Sequence, residues 1–107
     1  MKNAWFFLMI ASLFEIGWPL GFKLSNTSRP RWPFLVLAVV SMLFSGWFLW
    51  MAQREIPIGT AYAVWTGIGA AGTFLIGVVF FHDPLGMMRL LSFLLIVAGV
   101  IGLKSSG

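Results

Sequence analysis

Four stretches of about twenty residues, at 3–22, 34–52, 58–81 and 85–103, carry almost no charge, and they limit the possible folds sharply. Each is long enough to cross ~30 Å of hydrocarbon as an α-helix rising ~1.5 Å per residue. Inside lipid every backbone N–H and C=O must find its partner within the protein, which favours helices joined by short loops. The composition points the same way. Of 107 residues, 60% are hydrophobic and 9% charged, more apolar surface than a soluble domain of this size has interior to hide. The expected architecture is an all-α membrane protein, a single domain over residues 1–107 with four transmembrane helices in a lipid bilayer.

Polar punctuation separates the runs. Lys23-Leu-Ser-Asn-Thr-Ser-Arg-Pro-Arg-Trp-Pro33 reads as a loop from its Ser, Asn and Pro content and its three cations. Gln53-Arg54-Glu55 closes the second run, His82-Asp83-Pro84 the third and Lys104 the fourth. Arg89 stands one turn inside the fourth run, within snorkelling reach of its end. The net charge of +4 does not indicate a nucleic-acid partner, because the seven Lys and Arg residues are scattered between apolar runs, where anionic headgroups attract them. The first run is not expected to be a cleaved leader, since Glu15 interrupts it and no A-x-A site follows. Cysteine is absent and the lone histidine, His82, falls at a helix end, so neither a metal centre nor a catalytic triad is expected. No nucleophile–base pair suggests an enzyme.

The charges also bear on orientation. One side of the membrane would carry Lys2, Arg54 and Lys104, the other Lys23, Arg29, Arg31 and Arg89, and the amino terminus evens the count. The positive-inside rule then gives no direction, and insertion both ways up would allow an antiparallel homodimer.

Chemistry concentrates at Glu15, the one carboxylate well inside a span. Placing it in hydrocarbon costs several kcal/mol unless it is protonated, paired or facing water. No Lys or Arg lies at the same depth as a permanent partner, so Glu15 reads as a site for a proton or a cation. Helical spacing puts Trp18 at i+3 and Ser12 at i−3 on its face. Trp18 offers an N–H to the carboxylate and a π-face to a cation. In the third span Tyr62, Thr66, Gly69 and Thr73 form a polar or small stripe that should face protein or a water-filled cavity, with Trp65 beside Tyr62 to flank a cation. Ser41 and Ser45 share a face of the second span, from which Ser45 reaches either the carboxylate or its own helix, while Phe44, Trp47, Phe48 and Trp50 point toward lipid. The fourth span has no buried polar chemistry. Ser92, Gly99 and Gly102 give it a small-residue face for helix contact, expected at a dimer interface.

Glu15 with Trp18 beside it, together with Pro57-Ile-Gly-Thr-Ala-Tyr-Ala-Val-Trp-Thr-Gly-Ile-Gly-Ala70, resembles the small multidrug resistance family, and most closely its guanidinium-exporter subtype. The resemblance covers essentially the whole chain, down to the terminal Gly-Leu-Lys104. It implies an antiparallel, dual-topology homodimer in the inner or plasma membrane that exchanges protons, its coupling ion, for a small cation by alternating access, with no cofactor. Glu15 matches the family's essential glutamate, Trp18, Ser45 and Tyr62 match its supporting residues, and Trp65 lines the same site. Two positions depart from the pattern. Pro19 stands where exporters usually carry alanine, and Ser12 where glycine or alanine is usual; both flank the site and bear on substrate range rather than on fold. Pro19 removes the N–H that would bond the Glu15 carbonyl and disfavours helical geometry at Trp18, so a kink that widens the cavity is expected. Export of bulky aromatic or quaternary ammonium cations is the rival reading within the same fold. A non-transporting membrane assembly subunit is the rival outside it.

Overall fold

The computed structural model describes residues 2–106 and consists of four helices: α1 (Lys2–Thr27), α2 (Trp32–Ala52), α3 (Ile58–Phe80) and α4 (Met87–Ser106). All four are long and apolar enough to cross a membrane, and no strand occurs among the described residues. The chain is therefore a multi-pass helical membrane protein.

The helix ends show where local chemistry overrode composition. α1 continues through Thr27, five residues past the expected end at 22, into the stretch expected to be loop. The Ser25 hydroxyl donates to the Phe22 carbonyl at 2.7 Å and the Thr27 hydroxyl to the Lys23 carbonyl at 3.3 Å. These hydroxyls, which usually signal a turn, instead satisfy carbonyls of their own helix. The connection shrinks to residues 28–31, and α2 then starts with Pro33 in its first turn, where the missing N–H costs nothing. α4 begins at Met87 rather than 85 and runs past 103 to Ser106, with Lys104 in its last turn, where the helix dipole favours a cation. α1 also passes through Pro19 as unbroken helix, without the interruption that residue invites.

α1 is the central element, packed extensively on α2 and also on α3. α3 carries α4, while α2 barely meets α3. α2 turns Ala38, Ser41, Ser45 and Ala52 inward as a small-residue face on α1. Phe44 is exposed, as a lipid-facing residue would be, and it and the half-buried Phe48 also take part in ring contacts with α1, at 5.3 Å from Phe14 to Phe44 and 6.0 Å from Phe7 to Phe48. Trp47 and Trp50 are exposed as well. The whole molecule measures 43 × 34 × 17 Å, so its thinnest dimension is under two helix diameters of ~10 Å. A slab that thin cannot enclose a chamber, and α4 buries none of its residues. The site lies on an open flank of the slab.

Candidate functional site

Glu15 sits mid-way along α1, half-buried, and its carboxylate is held from two directions. The Trp18 indole Nε1–H, one turn further on, donates to Glu15 Oε1 at 2.8 Å. The Ser45 hydroxyl of α2 lies 3.3 Å from that same oxygen. Ser45 is fully buried and acts as a junction: its oxygen accepts the Trp65 indole N–H of α3 at 2.7 Å, and its hydroxyl lies within donating distance of the Ala11 carbonyl of α1, at 2.8 Å between oxygens. Three helices therefore meet through one hydroxyl. Both donors address Oε1; among the described residues no donor holds Oε2, and Glu15 lines an adjoining cavity.

That cavity, of about 250 Å³, is lined by Glu15, Trp18, Pro19, Thr66, Gly69, Ala70 and Thr73. Glycine at 69 is required by the close approach of α3 to α1. A Cβ there would lie 2.6 Å from Glu15 Cγ and 3.2 Å from Glu15 Cβ, closer than packed carbons come. α3 thus supplies one wall directly against the Glu15 side chain, and its Thr66 and Thr73 also line the cavity. Chemically the arrangement is a carboxylate with one oxygen fixed by neutral donors and the other accessible, in an apolar setting that can take either a proton or a compact cation.

Most of the residues singled out in the sequence are brought together here. Glu15, Trp18, Ser45 and Trp65 form one hydrogen-bonded network. Pro19, Thr66 and Gly69 line the cavity. Tyr62 joins only through Trp65, with ring centroids 5.4 Å apart, and its side chain is 55% exposed. Ser12 departs from expectation. Fully buried, it donates to the Leu8 carbonyl at 2.8 Å on its own helix and does not line the cavity, because a helical serine reaches the i−4 carbonyl more readily than a neighbouring helix. Ser92 likewise bonds back to Met88 and is exposed, and a Cβ at Gly99 would meet nothing within 4 Å, so neither residue is packed tightly within the protomer. Three participants were not among the named site residues. Ala70 lines the cavity beside Gly69. Thr73 lies on the α3 stripe already visible in the sequence. The Ala11 carbonyl is backbone, and no side-chain pattern could have marked it.

A family model described as Small Multidrug Resistance protein matches residues 3–96, nearly the whole chain and all of this network. The chain belongs to the small multidrug resistance family. Among members similar to it, one named guanidinium exporter from Yersinia pseudotuberculosis serotype I (strain IP32953) is 45% identical over 101 residues, covering 94% of this chain and 96% of that protein. Another of the same name, from Escherichia coli (strain K12), is 44% identical over 103 residues, 96% of this chain and 97% of the relative. A third, from Citrobacter freundii, is 43% identical over the same length. The similarity extends over nearly the whole of each chain.

Proposed function

We propose that this protein exports guanidinium or small substituted guanidinyl cations in exchange for protons, working as an antiparallel, dual-topology homodimer of the inner or plasma membrane. The observation that carries the reading is the half-tethered carboxylate: Trp18 and Ser45 both address Oε1 of Glu15, and Glu15 lines a small cavity. One carboxylate cannot hold a proton and a cation at once, so each displaces the other, and that competition couples their movements. A guanidinium suits such a site because it is planar, carries forked N–H donors and stacks on aromatic faces, here those of Trp18, Tyr62 and Trp65. The relatives' name, guanidinium exporter, supports the same substrate. The thin slab and α4, which packs on α3 yet buries none of its residues, support a second copy, which would complete the chamber and bring a second Glu15 to it. The protein is then a transporter rather than an enzyme, with the proton as coupling ion and no cofactor.

Proton-gradient-driven uptake into liposomes tests this, with guanidinium, methylguanidinium and a tetra-alkylammonium ion compared side by side. Guanidinium and methylguanidinium should be exchanged for protons, and the tetra-alkylammonium ion, which has no N–H donors, should not. Transport of the tetra-alkylammonium ion in preference to guanidinium would favour multidrug-type export instead.

A further inference from the structure

A second cavity, of about 190 Å³, lies between α1 and α3 toward their C-terminal ends; Pro19, Lys23, Thr73, Gly77, Phe81 and Asp83 are among its walls. Pro19 and Thr73 also line the Glu15 cavity, so the two spaces share a wall. Phe81 stands eight residues beyond Thr73, so the outer mouth lies ~12 Å further along the helix axis, toward the membrane edge.

The chain builds this mouth with some care. After α3, His82 takes φ 59°, a left-handed conformation uncommon for a residue with a side chain. The reversal returns the Asp83 N–H to the Gly77 carbonyl at 3.0 Å and lays the Asp83 carboxylate over Gly77, in the space a Cβ at residue 77 would fill against Asp83 Oδ2. Across the cavity, the Lys23 ammonium of α1 stands 5.7 Å from the centroid of the Phe81 ring. A carboxylate and an aromatic face therefore share the mouth, and a cation is already placed against the ring: the chain's own.

We infer that Asp83 and Phe81 form an outer station for the transported cation, that Lys23 is its tethered competitor, and that cargo passes between this station and Glu15 along the Pro19–Thr73 wall. The inference rests on the reading of the protein as a guanidinium exporter. Guanidinium is more weakly hydrated than an ammonium and stacks better on an aromatic face, so it displaces Lys23 at a partly dehydrated site. Lys23, on a four-carbon stem at the end of a span, can withdraw to the headgroups. Holding the cation first at the rim raises its local concentration beside Glu15, an effect that fades as salt screens it.

The test is proton-driven guanidinium uptake by the full chain in liposomes, with KM and kcat resolved at low and high salt. Asp83→Asn should raise KM about two- to fivefold, the scale of an exposed ion pair, with kcat within about twofold, and the difference should shrink at high salt. Gly77→Ala, which displaces the carboxylate without removing it, should raise KM in the same direction and add little to Asp83→Asn. Lys23→Gln should lower KM. If the wild-type protein transports guanidinium but KM is unmoved in Asp83→Asn and Lys23→Gln, the outer station is wrong and the exporter reading stands. A wild-type protein that carries no guanidinium overturns both.

Discussion

Adding a single methyl group at Gly69 is the sharpest probe of the Glu15 site. In Gly69→Ala the new Cβ would lie 2.6 Å from Glu15 Cγ and 3.2 Å from Glu15 Cβ. The crowded atoms are the root and middle of the side chain, not its free end, so Glu15 must change rotamer rather than bend aside. Its carboxylate would then leave Trp18, now at 2.8 Å, and Ser45, at 3.3 Å. Hydrogen bonds to a charged group are worth about 1.5–3 kcal/mol each, and the longer Ser45 contact lies at or below the lower end. Losing the Trp18 bond alone predicts a fall of about 10- to 150-fold in kcat/KM for guanidinium, at ~1.4 kcal/mol per tenfold. Alanine favours helix over glycine by ~1 kcal/mol, so α3 itself should not suffer. The assay is proton-driven guanidinium uptake in liposomes. Gly46→Ala in α2 serves as control, since a Cβ there would meet nothing within 4 Å. A Gly69→Ala protein with wild-type kcat/KM would show that α3 does not press on the carboxylate as described.

Glu15→Gln should assemble normally yet lose proton-coupled exchange, because an amide cannot titrate; coupled uptake surviving in liposomes would remove Glu15 from the mechanism. Pro19→Ala restores the N–H that can bond the Glu15 carbonyl and should lower the ratio of substituted-guanidinium to guanidinium transport, with guanidinium itself tolerated. An unchanged ratio would show that the proline is merely accommodated. Gly99→Leu should shift the protein toward monomer by size-exclusion chromatography in detergent, whereas Tyr62→Phe should alter transport kinetics with assembly intact; the reverse pattern would mean that α3 and α4 have exchanged roles. Ser45→Ala leaves the Trp65 N–H without its partner and should destabilise the fold by about 1–3 kcal/mol, read from thermal unfolding in detergent.

Several features follow from the sequence through rules that act within one helix. The four spans follow from length and apolar content, because lipid leaves a backbone few ways to satisfy itself. The Glu15–Trp18 pair follows from i, i+3 spacing, and the hydrogen bond at 2.8 Å is what that spacing delivers. The α3 stripe of Thr66, Gly69 and Thr73 follows from period, and the structure lines a cavity with it.

The serines show where this reach ends. Ser12 and Ser45 look alike in the sequence, each a polar residue in an apolar run at helical spacing from others. Ser12 turns back to the Leu8 carbonyl, while Ser45 crosses to the Ala11 carbonyl and Glu15 and receives Trp65. Period fixes which residues share a face; it does not fix how far a helix is rotated, nor which neighbour that face meets. The same holds for Phe44 and Phe48, which the packing of α2 on α1 brings against Phe14 and Phe7. It holds again for residues 23–27, where hydroxyls bonded to their own carbonyls extend a helix that composition alone would have ended. Span, depth and spacing are properties of one helix and can be read along the chain. The meeting of Glu15, Ser45, Trp65 and Gly69 depends on the approach of three helices, and only their packing decides it.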